Sequence, residues 1–105
     1  MALPNTFLHH VFFWLKNPDS KEDLAALVAG LNRLAALDLI KDYHIGIPAD
    51  TDRGVIDRSY SVSWLNVFAN AKDQESYQTA PAHLEFIKEC SSLWSKVVVY
   101  DSVEA

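Results

Sequence analysis

The sequence has little of several features that mark particular classes of protein. One cysteine, Cys90, stands among the 105 residues, so no intrachain disulfide can form and nothing indicates an oxidising compartment. Glycine and proline are scarce, at three and four residues, and we find no linker, internal repeat or low-complexity segment. No apolar run approaches the roughly 18 residues that span a bilayer, and residues 1–5 lack the basic region and apolar core of a signal peptide. These absences predict a cytoplasmic protein that does not enter a membrane.

Positive charge is also in short supply. Fourteen acidic residues against nine basic ones give a net charge of −5, which repels phosphate backbones, so nucleic acid is not an expected partner. What the chain does have is apolar character, since 50% of its residues are hydrophobic, and this excludes general disorder. Its length suits one hydrophobic core, and we therefore predict a single domain over residues 1–105.

The first half of the chain predicts a strand and then a helix. Phe7–Leu15 is short, aromatic and apolar on both faces, as expected of a strand. A helix follows, with Asp19 as its expected N-cap and Glu22 three residues later, as in a capping box. Apolar residues at helical spacing form one stripe over about four turns: Leu24, Leu27, Val28, Leu31, Leu34 and Ala35.

Three further strands are expected. Residues 39–47 have moderate strand character, and Pro48 ends them. Residues 58–68 form a more definite strand because apolar residues alternate with serine at a period of two; these are Tyr60, Val62 and Trp64. Residues 96–101 form the last strand, which is apolar on both faces.

A second helical region lies between the last two strands. Asn70 is a suitable N-cap, and Pro81 interrupts the helical pattern. Because proline is tolerated in a first helical turn, we expect a break at Thr79 and Ala80 and a new helix that starts near Pro81. The expected buried face of this new helix is Leu84, Ile87, Cys90 and Trp94.

The order β-α-β-β-α-β predicts an α+β fold of the ferredoxin-like type. Right-handed crossovers of this length build a four-stranded antiparallel sheet with two helices on one face. The other face is then uncovered, although the first and last strands are apolar at nearly every position. Pairing two such sheets across a twofold axis would bury these surfaces, so we predict a homodimer in the form of a dimeric α/β barrel.

Several segments in register resemble one family. Residues 9–16 (HHVFFWLK), 53–60 (RGVIDRSY), 77–83 (YQTAPAH) and 94–101 (WSKVVVYD) look like the stress-responsive A/B barrel (Dabb) family. The resemblance covers nearly the whole chain and implies a dimeric α+β barrel. The family is found in plant stress-responsive proteins and in many bacterial proteins without an assigned function.

The resemblance also implies an activity and a site. The family is similar to olivetolic acid cyclase, a plant polyketide cyclase that closes a poly-β-keto chain by aldol condensation. Its acid/base histidine and tyrosine fall on His83 and Tyr77 here. Its first-strand histidine matches either His9 or His10, which face opposite sides of a strand, and we favour His9. Two positions depart from the pattern. A further pocket histidine of that enzyme is replaced here by Val62, and the histidine that usually precedes the proline is replaced by Ala80.

Residue chemistry is compatible with an acid/base role for His83 and Tyr77. An aldol reaction needs a base to remove a proton and a donor to stabilise the enolate oxygen. His83 lies near a helix N-terminus, whose dipole favours the neutral imidazole, and Tyr77 can offer its hydroxyl. The structural alternative is that His83 bonds a backbone carbonyl and holds the break at Pro81 in shape. The adjacent His9 and His10 diverge on a strand, so we predict no metal and no cofactor.

Four hypotheses for the function follow. The first is a homodimer whose barrel cavity binds a small apolar or aromatic molecule through His9, Tyr60 and Trp64, or which merely assembles. The second is a small polyketide-cyclase-like lyase that uses His83 and Tyr77, and the third is a cofactor-free monooxygenase of a similar barrel. An RNA-recognition domain shares the element order, but the acidic charge counts against it. What separates the first two is whether the His83 and Tyr77 side chains point into one open cavity.

Overall fold

The elements occur in the predicted order β-α-β-β-α-β, with the second helical region divided in two. The computed structural model describes residue 3 and residues 5–105, so Met1, Ala2 and Pro4 of the N-terminal segment lie outside the described residues. The elements are β1 (Phe7–Leu15), α1 (Lys21–Leu34), β2 (Ile40–Gly46), β3 (Val62–Phe68), α2 (Ala71–Thr79), α3 (Pro81–Cys90), a 3₁₀ turn (Ser91–Leu93) and β4 (Trp94–Val103).

The four strands form one antiparallel sheet in the order β2-β3-β1-β4. The two central strands come from distant parts of the chain, as β-α-β crossovers require. Val11 of β1 lies opposite Trp64 of β3 and opposite Val99 of β4. These pairs share the face of the sheet on which the helices pack.

The core lies between this face of the sheet and the helices. Every second residue of β1 and β3 is buried, including Val11, Phe13, Val62 and Trp64. From α1, the predicted stripe supplies Leu27, Leu31 and Leu34, which are no more than 2% exposed. The alternate residues of the strands and the apolar stripe of α1 thus pack together in one apolar layer.

The cap of α1 lies one residue later than predicted. Ser20, not Asp19, is the N-cap, and its hydroxyl accepts a hydrogen bond from the Asp23 backbone N–H at 3.1 Å. Because α1 begins at Lys21, Glu22 falls on its second residue and not on the third, where a capping box would need it.

The third strand starts later than predicted, at Val62 instead of residue 58. The serines before it bind β1 instead of continuing the alternation: the Ser61 N–H donates to the Phe13 carbonyl at 2.7 Å. The Ser61 hydroxyl accepts from the Leu15 N–H at 3.1 Å, and the Ser59 hydroxyl from the Trp14 indole at 3.2 Å. Residues 58–61 therefore follow the end of β1 outside the regular ladder.

The predicted break between the last two helices is confirmed. The Asn70 side chain caps α2 by accepting from the Asp73 N–H at 2.8 Å. Ala80 is extended, with φ −62° and ψ 139°, and Pro81 is the first residue of α3. Proline suits this position because its missing N–H would have no helical partner.

The predicted buried face of α3 was half wrong. Phe86 and Cys90 are its buried residues, whereas Leu84 is 55% exposed and Ile87 is 37% exposed. The break rotates α3 relative to α2, so the helix packs through Phe86, whose ring lies 5.8 Å from that of Trp94.

The opposite face of the sheet carries a second set of apolar side chains. We call this surface the open face. Its residues point away from the helices, because they occupy the strand positions between the core residues. Its apolar residues are Leu8, Phe12, Trp14, Leu65, Val67, Val98 and Tyr100. Tyr100 is 65% exposed. No helix among residues 5–105 combines the length and the apolar character that crossing a bilayer requires.

Candidate functional site

A cavity of about 210 Å³ opens between the helix face of the sheet and the α2–α3 break. Val97 and Val99 of β4 form one wall of the cavity. They are 43% and 45% exposed, because no other side chain covers them fully. The polar residues of the lining include His9, Tyr77, Gln78 and His83. An apolar pocket with a few convergent polar groups is the usual form of a small-molecule site.

A second groove, of about 230 Å³, lies between α1 and α3. Its charged residues are Arg33, Glu85 and Glu89. Arg33 and Glu89 are exposed and bind each other at 2.8 Å. Because it offers no convergent buried polar groups, we place the candidate site in the cavity beside β4.

Tyr77 brings a protonated phenol to this cavity. It lies in the last turn of α2 and is 2% exposed. Burial raises the pKa of Tyr77 to about 12, and the nearby Trp64 indole opposes the rise by stabilising the phenolate. At neutral pH Tyr77 is therefore a hydrogen-bond donor.

His83 brings a neutral imidazole to the same cavity. It is the third residue of α3, and its Nδ1 lies 3.1 Å from the Gln78 carbonyl oxygen. A carbonyl only accepts, so Nδ1 carries the proton and Nε2 of the neutral ring keeps a free lone pair. Burial lowers the pKa of His83; the bond to Gln78 opposes this shift, while His9 adds to it. His83 is therefore uncharged at neutral pH and able to accept a proton.

The helix break brings these two side chains together. Tyr77 ends one helix and His83 begins the next, and their ring centroids are 4.5 Å apart with an angle of 46° between the planes. The donor and the base thus line one cavity at contact distance. The bond from His83 to Gln78 is also the backbone contact that the structural alternative predicted, and one ring can serve both purposes.

His9 is held beside them by Asp101. The two residues lie opposite each other in the register of β1 and β4, and His9 Nδ1 lies 2.5 Å from Asp101 Oδ1. A carboxylate only accepts, so Nδ1 of His9 donates the proton of this hydrogen bond. The Gln74 side-chain nitrogen lies 3.5 Å from the same Nδ1, and the Tyr77 ring lies 5.9 Å from the His9 ring.

The choice between His9 and His10 is now clear. His9 is 6% exposed and lines the cavity. His10 lies on the open face, where its Nε2 is 2.8 Å from the Ser63 hydroxyl, and burial lowers its pKa, with His44 adding to the shift. Adjacent strand residues face opposite sides, so only His9 reaches the site.

Of the predicted ligand-binding residues, Trp64 lines the cavity and Tyr60 does not. Tyr60 packs on Phe12 of the open face, with ring centroids 5.0 Å apart. The chain leaves the ladder before Val62, so the period of two does not extend back to Tyr60. The structure thus brings together His9, Trp64, Tyr77 and His83.

Sequence reasoning missed two supporting residues, Asp101 and Gln78. Asp101 was identifiable as a lone charge at the end of an apolar strand, but its pairing with His9 depends on strand register. Gln78 acts through its backbone carbonyl, which leaves no signal in the sequence. Among the described residues, no group of three or more His, Cys, Asp or Glu side chains could hold a metal ion.

Comparison with known proteins gives three informative structural likenesses. A hydroxynitrile lyase from Passiflora edulis is 24% identical, with a TM-score of 0.79 and coverage of 98% of this chain and 96% of that chain. A Dabb family protein with a ferredoxin-like fold from Mesorhizobium loti is 22% identical, with a TM-score of 0.77 and coverage of 95% and 97%. A dimeric protein of unknown function and ferredoxin-like fold from Bacteroides fragilis is 16% identical, with a TM-score of 0.74 and coverage of 98% and 100%.

These likenesses confirm the ferredoxin-like fold. No curated protein matches the chain. The family model of the stress responsive A/B barrel domain, however, matches residues 7–104, which is nearly all of the sequence and includes every residue of the site. The chain therefore belongs to the stress responsive A/B barrel domain (Dabb) family.

Proposed function

We propose that this protein binds a small aromatic or apolar carbonyl compound in the cavity beside β4 and transfers a proton on it, as a small lyase of the aldol type. The observation that carries the proposal is the contact between Tyr77 and His83, with ring centroids 4.5 Å apart in one cavity. The pKa of Tyr77 is raised and that of His83 is lowered. Opposed shifts of this kind separate a proton donor from a proton acceptor at one pH.

The size of the cavity limits the ligand. Drug-sized sites occupy roughly 300–1,000 Å³, whereas an apolar cavity of roughly 150 Å³ can hold benzene. The cavity here, at about 210 Å³, fits a compound with one ring and a short substituent. The absence of a histidine at Val62 and at Ala80 counts against the linear polyketide substrate of the cyclase.

The proposed reaction uses His83 as the base and Tyr77 as the donor to oxygen. On an α-hydroxynitrile or a β-hydroxy ketone, His83 Nε2 takes the hydroxyl proton, and the O–H electron pair becomes the second bond of a carbonyl. The adjacent C–C bond breaks, and its electron pair leaves as cyanide or as an enolate, which recovers the proton from His83. Tyr77 donates a hydrogen bond to the substrate oxygen throughout. The Passiflora edulis neighbour is, by its name, a lyase for hydroxynitriles.

The test combines binding and turnover on one set of proteins. Wild type, His83→Gln and Tyr77→Phe are measured by thermal shift with benzaldehyde, acetophenone and 2,4-dihydroxyacetophenone, and by release of benzaldehyde from mandelonitrile. Removing a general base lowers the rate about 10²- to 10⁴-fold, so we expect loss of turnover in His83→Gln. His44→Gln is the matched control, because His44 is exposed on β2, and it keeps the wild-type rate.

The outcomes distinguish the hypotheses. A ligand-induced shift without turnover leaves the binding protein as the function and removes the lyase. No shift with any compound, together with a loss of stability in His83→Gln, makes His83 structural. Oxygen consumption with a quinol substrate would favour the monooxygenase instead.

We also propose that two copies pair through the open face. Its apolar side chains, among them Phe12, Trp14 and Tyr100, suit burial against a second sheet. The Bacteroides fragilis neighbour is described as dimeric. Sedimentation of Phe12→Asp should show a monomer, whereas Val55→Asp, in a loop position that is 86% exposed, should sediment as wild type does; a Phe12→Asp dimer would refute the pairing.

We propose further that residues 1–105 form a single domain and that the protein works in the cytoplasm. Cys90 is a free, buried cysteine, which suits a reducing compartment. Fractionation of cells that produce the protein tests the location, and recovery from an oxidising compartment would contradict it.

A further inference from the structure

One buried donor beside the site has no hydrogen-bond partner among the described residues. Trp64 is only 1% exposed, and its indole Nε1 is fully buried and unpaired. Buried N–H groups in native proteins nearly always find an acceptor, because an unpaired one has lost its water without compensation. An orphaned donor that lines a cavity therefore requires an explanation.

Tyr77 offers this donor an acceptor in the same cavity. Trp64 and Tyr77 line the same cavity, and the Trp64 indole stabilises the charged form of the phenol. The phenolic oxygen is therefore the acceptor that the indole N–H affects, although the structure shows no completed hydrogen bond from this N–H.

We propose that Trp64 is a positioning residue for Tyr77: its indole N–H donates to the phenolic oxygen and directs the phenolic proton into the cavity. The role deepens the proposed function and rests on it for the identity of the ligand. A hydroxyl that accepts one hydrogen bond becomes a stronger donor in the next. Tyr77 thus has its acceptor side occupied and its donor side free for an oxygen of the ligand.

This arrangement predicts which ligands the cavity selects. A site that presents a buried donor rejects an analogue that lacks the matching acceptor, because the donor then stays unpaired. Benzaldehyde and toluene have similar size and shape, but only benzaldehyde carries an acceptor oxygen. Trp64 should therefore favour benzaldehyde over toluene.

The test reads the indole N–H directly by NMR of the ¹⁵N-labelled protein. Trp14, Trp64 and Trp94 are its three tryptophans, and loss of one signal in Trp64→Phe assigns the resonance. We expect Tyr77→Phe to move the Trp64 signal upfield in the ligand-free protein while the Trp14 signal stays in place. An unmoved Trp64 signal in Tyr77→Phe would overturn the proposal, whether or not any ligand binds.

Binding then separates positioning from packing. Trp64→Phe should weaken benzaldehyde binding about five- to tenfold, the usual effect of one lost hydrogen bond, and leave toluene binding within twofold. Trp94→Phe is the matched control, because Trp94 lines the cavity too, and it should affect the two ligands alike. Equal weakening of both ligands in Trp64→Phe would show a packing role and refute positioning. If neither ligand binds wild type, the proposed function fails, and the Tyr77→Phe spectrum still decides the Trp64 contact.

Discussion

Replacing Gly30 by alanine tests the packing that holds α3, and with it His83, in place. Gly30 is buried in α1, at the point where α1 meets α3. A Cβ added there would lie 2.6 Å from Cys90 Sγ and 3.3 Å from Phe86 Cδ1. Contacts below 3.0 Å are essentially never seen for a real Cβ, so the Cys90 side chain or one of the two helices has to shift.

Two effects of opposite sign set the magnitude. Alanine in a helix interior gains about 1 kcal/mol over glycine, whereas overpacking a core costs about 1–3 kcal/mol. The clash is with a short side chain that cannot turn away far, so we expect the cost to win and Gly30→Ala to lose about 1 kcal/mol. For a domain of this size, that corresponds to a fall in Tm of about 4–8 °C.

The assay is thermal and urea unfolding at one protein concentration, since a dimer makes Tm depend on concentration. Cys90→Ala removes the opposing sulfur, so Gly30→Ala in that background should gain stability instead of losing it, with a coupling of about 1–3 kcal/mol. Gly54→Ala is the matched control, because nothing lies within 4 Å of its added Cβ. If Gly30→Ala stabilises wild type by about 1 kcal/mol and the double variant is additive, α1 and α3 do not approach as closely as described.

Three shorter predictions follow from the described contacts. Ser20→Ala should lower the free energy of unfolding by about 1 kcal/mol, because it removes the cap of α1. Asp19→Ala should change the same free energy by less than about 0.5 kcal/mol. The reverse order would show that Asp19 is the cap, as the sequence predicted. Arg33 and Glu89 form an exposed pair, so a double-mutant cycle should give only a small coupling, and a smaller one in 1 M salt. Because the folded pKa of His83 lies below its unfolded value of about 6.5, the unfolded state binds more protons just below that pH, and stability should fall as the pH drops through this window. His83→Gln should flatten this part of the stability profile measured by urea unfolding, and an unchanged profile would contradict the shift.

Most of the fold could be predicted from the sequence because each element carries its own local signal. The stripe of α1, the alternation of β3 at Val62 and Trp64, and the restart at Pro81 each depend on residues that are close in the chain. The error at the start of α1 arose where the local signal is ambiguous. Asp19 and Ser20 both have capping side chains, and only the fold selects between them.

The site was less accessible to prediction, since its geometry depends on contacts between distant residues. Tyr60 has the same spacing as Val62 and Trp64, yet hydrogen bonds from Ser61 to β1 take it out of the strand and onto the open face. The partnership of His9 with Asp101 depends on the pairing of β1 with β4 across the whole chain. Neither contact leaves a pattern within a short window of sequence.

The interruption at Pro81 explains how one small domain can hold both a donor and a base. Residues six apart on one continuous helix would lie well apart along its axis and on different faces, so the Tyr77 and His83 rings could not be in contact. The extended Ala80 ends α2 and lets α3 start in a new direction, and the His83 N–H bonds the Ala80 carbonyl at 3.0 Å within the new first turn. His83 Nδ1 then reaches back to Gln78, the residue after Tyr77, which fixes the ring against the phenol. The break that looks like a defect in a helix is therefore the element that brings the His83 ring into contact with the Tyr77 ring.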